Sequence, residues 1–164
     1  MVKSCASLAT ALVLAGTAPA LAAFEFTHEG WKGQVAFTDG KFRQCLMWAS
    51  AINNFDVGFS LDGAGELRLG LRSTRLDQTW PMIFNMKTAL RIQLDQGPVL
   101  IKAFTSVSPT LLSTSLKGTD WEKRLPDADL LRINTGTRVR QFHLTGIKAA
   151  MDKLRACAAK HRAA

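Results

Sequence analysis

Five arginines fall at spacings that could do chemistry. Arg68 and Arg72 are four residues apart in an alternating stretch, so on a strand they share one face. Arg75 follows closely, and Arg138 and Arg140 share a face of a second segment. If the two segments are neighbours, the five guanidinium groups form one patch that grips carboxylates or phosphates through paired N–H donors. Otherwise they form two solvated faces that discourage strand edges from pairing.

Other reactive residue types carry less. Of His28, His143 and His161, the first lies beside Glu29 in the leading segment. His143 sits between Phe142 and Leu144 in a strand pattern and reads as a solvent-facing histidine. His161 reads as part of a disordered basic tail. Asp120, Glu122, Asp127 and Asp129 cluster around Trp121. Glycoside hydrolysis needs two carboxylates facing each other across a bond, one with its pKa raised by burial. These four alternate with Lys123 and Arg124 instead, as in a charged connection with Asp120 capping a helix. No Gly-x-Ser-x-Gly elbow occurs, and Asn53-Asn54-Phe55-Asp56 reads as a turn, having too few oxygen ligands for a calcium loop. No catalytic residue, metal or cofactor is expected. Trp31, Trp48, Trp80 and Trp121 could line a sugar or ligand site. Trp48, inside an apolar strand, is expected in the core, while Trp80 and Trp121 are the better candidates for exposure.

The cysteines point to a compartment. Met1-Val2-Lys3 gives a positive start, an apolar run follows to Ala18, and Ala20-Leu21-Ala22 fits a signal-peptidase site. Residues 1–22 therefore read as a cleaved secretory signal, with the mature chain beginning near Ala23 and located in the periplasm or secreted. Cys5 leaves with the signal. Cys45 and Cys157 remain, and an even pair in an oxidising compartment reads as one disulfide. The rival reading is a metal pair or a reactive thiol, but no Cys-x-x-Cys or His-x-x-His spacing is present.

Length and charge set further bounds. Residues 23–164 suit a single domain with one core. A hydrophobic content of 47% is that of a globular chain. No apolar run after the signal reaches the roughly 18–20 residues of a membrane span. The formal charge of +8 falls to +7 when Lys3 is lost. Such a surface favours anionic lipid headgroups, anionic polysaccharide or acidic proteins; export argues against nucleic acid.

The elements that would carry these residues are mostly strands. Phe55, Val57, Phe59 and Leu61 alternate with small or polar residues. Leu67, Leu69 and Leu71 do the same beyond the turn Asp62-Gly63-Ala64-Gly65. This pattern predicts a hairpin. Residues 34–38 and 42–51 flank a turn at Asp39-Gly40. Further strands are predicted at 90–94, 99–104, 130–134 and 138–144. Ser108-Pro109 before Leu111, Leu112 and Leu116, closed by Lys117-Gly118, predicts a short middle helix. Thr145 can cap a final helix with Ile147, Ala150, Met151, Leu154, Cys157 and Ala158 on one stripe. A disulfide to Cys45 would pin that helix to an early strand. The expected fold is mainly β, an antiparallel sandwich or barrel-like domain with a short middle helix and a C-terminal amphipathic helix.

The C-terminal half carries a pattern of its own. The strand Ala89-Leu90-Arg91-Ile92-Gln93-Leu94-Asp95 is followed by Leu131-Arg132-Ile133-Asn134-Thr135-Gly136. The chain then closes on Phe142-His143-Leu144-Thr145-Gly146-Ile147-Lys148-Ala149-Ala150-Met151-Asp152-Lys153-Leu154. This resembles the invasion-associated locus B-like periplasmic proteins. Those proteins usually carry a cysteine pair mid-domain, and residues 104–116 here contain none. The resemblance implies a secreted, disulfide-bearing β-rich domain without established catalytic residues.

The expected function is an exported, non-enzymatic binding protein of the cell envelope, capturing an anionic envelope component or acidic protein through the arginines. Two other classes stay open. One is a small-ligand carrier with an apolar barrel cavity. The other is a hydrolase built on His143 or the acids around Trp121.

Overall fold

The computed structural model describes residues 24–50, 54–74, 86–136 and 138–162. Their strands are β1 (Phe24–His28), β2 (Trp31–Thr38), β3 (Lys41–Ser50), β4 (Phe55–Asp62), β5 (Leu67–Ser73), β6 (Lys87–Leu94), β7 (Leu100–Ser108), β8 (Leu111–Ser115), β9 (Leu130–Asn134) and β10 (Val139–His143). The helices are α1 (Trp121–Arg124), continued by a 3-10 turn at Leu125–Asp127, and α2 (Ile147–Arg162). The strands form one antiparallel sheet in the order β1-β2-β3-β4-β5-β8-β7-β6-β9-β10. The first five run as a meander. β8 then pairs with β5, placing Leu71 opposite Leu112 and Gly70 opposite Ser113.

Period-two alternation decides which residues enter the core. Val57, Phe59, Leu67, Leu69 and Leu71 of the predicted hairpin are buried, and Leu61 is partly buried against them. Leu90, Ile92 and Leu94 of β6 join them, with Leu131 and Ile133 of β9. Each such side chain contributes about 1.5–3 kcal/mol on leaving water. The Asp39-Gly40 turn joins β2 to β3 with positive φ at both positions, 51° and 72°. That conformation matches the twist of a two-residue hairpin and explains the residue pair found there.

The final helix forms as its stripe predicts. Ile147, Ala150, Met151, Leu154, Cys157 and Ala158 are its buried residues, and it packs mainly on β3, with further contacts to β1, β2 and β4. Cys157 is bonded to Cys45 of β3 across a Cα separation of 6.1 Å, so the disulfide does pin the last helix to an early strand. Among the described residues, no helix is long and apolar enough to cross a membrane.

Several expectations need correction. The short middle helix is α1 at Trp121–Arg124, whereas residues 111–115 form β8. Leu112 and Thr114 alternate inward there, with Thr114 Oγ1 donating to the Ala103 carbonyl. Filling the place between β5 and β7 outweighs the local helix signal. Asp120 occupies the N-cap of α1 without a side-chain capping bond; its carboxylate turns to Arg124 at 3.4 Å. Trp121 is fully buried rather than exposed. His161 is no tail residue. Its ring stacks on Phe42 at 5.8 Å and meets Phe37 edge-on at 5.5 Å. Residues 1–22 and Trp80 lie outside the described residues.

Candidate functional site

The outward face of β3, β4, β5 and β8 carries a cross-strand row of Trp48, Gly58, Gly70 and Ser113. Trp48 belongs to this face and not to the core. A Cβ at Gly58 would overlap its ring, and one at Gly70 would lie 2.7 Å from Cη2. Both glycines sit in ordinary strand backbone, so they are needed for space: they let the indole lie flat on the sheet. Gly58→Val should therefore lift the ring and destabilise the domain by about 1–3 kcal/mol through overpacking. Chemical denaturation checks the loss, and the near-ultraviolet tryptophan signal checks the displaced ring.

Arg72 is held from two sides. Its Nε donates to Oδ2 of Asp56 at 3.0 Å, and its Nη2 donates to the same oxygen. The guanidinium lies over the Trp48 ring, 4.8 Å from its centroid, within range of a cation–π attraction. Asp56 is only 3% exposed, because this covering closes over it. On the far side of Trp48, Arg68 donates to Glu66 Oε1 at 2.7 Å and from Nε to Ser113 Oγ at 3.4 Å. Four residues of strand separate the two arginines by about 13 Å along β5.

Trp48, Gly58, Arg68, Gly70, Arg72 and Ser113 line a cleft of about 1060 Å³. Gln34, Gln44 and Ser60 add polar atoms, and Trp48 adds an aromatic floor. Lys41, Arg43, Arg68 and Arg72 outnumber the lining carboxylates Asp39 and Asp62. Asp62 is moreover occupied, its Oδ1 accepting from the backbone N–H groups of Ala64 and Glu66. Arg68 and Arg72, each held by a carboxylate, offer their remaining N–H donors in fixed positions beside a flat apolar surface, and Lys41 and Arg43 add positive charge at the rim. Side chains already locked in place lose less freedom when a ligand arrives.

Of the candidate arginines that are described, the pair on β5 and the pair at β10 are not brought together. Arg68 and Arg72 share the outer face of β5. Arg140 lies on β10, whose sheet neighbour is β9, and pairs with the buried Ile133 on the inward side. Its guanidinium sits 3.6 Å from the Phe55 ring centroid. Burial, and then the neighbouring Arg138, lowers its pKa. Arg138 is exposed just before β10, and Arg75 lies outside the described residues. His143 is exposed on the outer side of β10, and Asp120, Glu122, Asp127 and Asp129 are all exposed. Asp127 faces Lys148 at 3.4 Å.

Sequence reasoning missed Trp48, Asp56, Gly58 and Gly70. The usable signal was glycine in the middle of two adjacent strands, which marks close approach of another group. Comparison with family models, with curated proteins and with solved structures returned no match.

Proposed function

We propose that this chain is an exported, non-enzymatic binding protein of the cell envelope. It captures an anionic polysaccharide in the cleft over β3, β4 and β5. The observation that carries this reading is Arg72, fixed between Trp48 and Asp56, with Arg68 about 13 Å along the same strand. Two held arginines rooted four residues apart on one strand face suit a polymer whose acid groups repeat, and the tryptophan beside them suits the apolar face of a sugar ring. The charge of +7 that remains once Lys3 is lost with the signal draws such a polymer in from a distance.

Export has separate support. A structural bond such as Cys45–Cys157 is typical of an oxidising compartment, which supports residues 1–22 acting as a cleaved signal and a periplasmic or secreted location. The resemblance to the invasion-associated locus B-like periplasmic proteins belongs to the same reading.

Retention of the protein on immobilised polygalacturonate across a salt series tests the proposal. Binding should weaken steeply as salt screens the arginines. Arg68→Gln combined with Arg72→Lys should weaken it roughly tenfold at low salt, since the lysine keeps the charge beside Asp56 but loses the fork. Retention unchanged by the double substitution refutes the cleft as the site.

A further inference from the structure

The other half of the sheet has an outer face of different character. Ile101, Arg91, Asn134 and Val139 lie in one cross-strand row over β7, β6, β9 and β10. Together with Val99 and Arg132 they line a groove of about 520 Å³. Ile101 is 67% exposed, Val139 58% and Val99 54%. Outward strand positions such as those of Ile101 and Val139 ordinarily carry polar groups, and these two, with Val99 just before β7, leave apolar surface in water. Two arginines and no carboxylate line the groove. Arg132 is anchored there by donating to the Asp95 carbonyl.

We propose that this groove docks the protein on an anionic lipid bilayer. Ile101, Val99 and Val139 would enter the headgroup boundary, where apolar faces of peripheral proteins settle. Arg91 and Arg132 would meet lipid phosphates, which guanidinium groups grip bidentately. Charge decides for this occupant over a second copy of the chain. A two-fold contact through the groove would set arginines against arginines between two mature chains of formal charge +7. This surface is distinct from the Trp48 cleft, so the two readings stand or fall separately.

Cosedimentation of the mature chain, residues 23–164, with vesicles provides the test. Mixed phosphatidylcholine–phosphatidylglycerol vesicles should bind it, and phosphatidylcholine alone should not. Ile101→Ser with Val139→Ser should weaken partitioning about tenfold, and Arg91→Gln about fivefold. The double serine variant should keep its thermal unfolding transition, because both side chains are exposed, and keep its retention on polygalacturonate. Wild-type partitioning by the serine variant overturns the proposal, as does failure of the native chain to bind the mixed vesicles. A concentration-dependent dimer abolished by the same two substitutions would overturn it too, assigning the groove to a second copy.

Discussion

Replacing Cys45 and Cys157 together with alanine should lower the stability of the domain by about 4–5 kcal/mol. The bond closes a loop of sequence separation 112, and a loop of that length frees a large ensemble of unfolded conformations when it opens. Both cysteines are buried, so truncation also removes packing between α2 and β3. At this size each kcal/mol moves the midpoint by about 3 °C, and the melting temperature should drop by roughly 12–15 °C. Paired urea titrations of native and variant protein measure the difference directly. A loss under about 1 kcal/mol would mean that packing alone holds α2 on the sheet and that the unfolded chain stays compact without the bond.

Local patterns were legible where contacts are local. The hairpin of β4 and β5 announces itself by alternation on both sides of a turn, and each buried leucine faces inward as that alternation demands. The stripe of α2 is equally plain, since one helix face meets one surface. β8 was not legible. Its neighbours are β5 and β7, and pairing with β5 depends on residues far earlier in the chain, as for Gly70 opposite Ser113. Leu111, Leu112 and Leu116 read locally as a helix flanked by Pro109 and Gly118. The ladder on both sides imposes a strand instead, a case of tertiary context overriding local preference.

The site divides in the same way. Alternation places Arg68 and Arg72 on one outward face, and they line the same cleft. It cannot place Arg138 and Arg140 relative to them, because that depends on strand order. Strand order sets β10 at the sheet edge beside β9, with Arg140 turned toward Phe55. Trp48 misled for a different reason. An aromatic residue in an apolar strand normally enters the core, and here Gly58 and Gly70 open a flat seat for it on the opposite face. Trp121 erred in the other direction. Its charged neighbours Asp120, Glu122 and Lys123 are exposed, while the indole itself is fully buried.

The pairing of Arg72 with Asp56 yields an asymmetry that mutagenesis can read. Arg72→Ala strands a carboxylate whose side chain is only 4% exposed. Leaving such a charge without its partner costs several kcal/mol in a deep interior. Here the arginine side chain is 44% exposed, so water can approach from its side, and the expected loss is about 3 kcal/mol. Asp56→Asn leaves Arg72 able to reach solvent and should cost only about 1 kcal/mol. The decisive variant removes both groups. Asp56→Ala with Arg72→Ala leaves no buried charge, so the second substitution should restore part of the stability lost with Arg72 alone. Denaturant midpoints for the three variants give the order, and a double variant less stable than Arg72→Ala would overturn it. Retention on polygalacturonate should follow a different order. Asp56→Asn keeps the guanidinium and retains most binding, whereas both variants lacking Arg72 lose it whatever their stability. Binding would then track one side chain while stability tracks the charge beneath it.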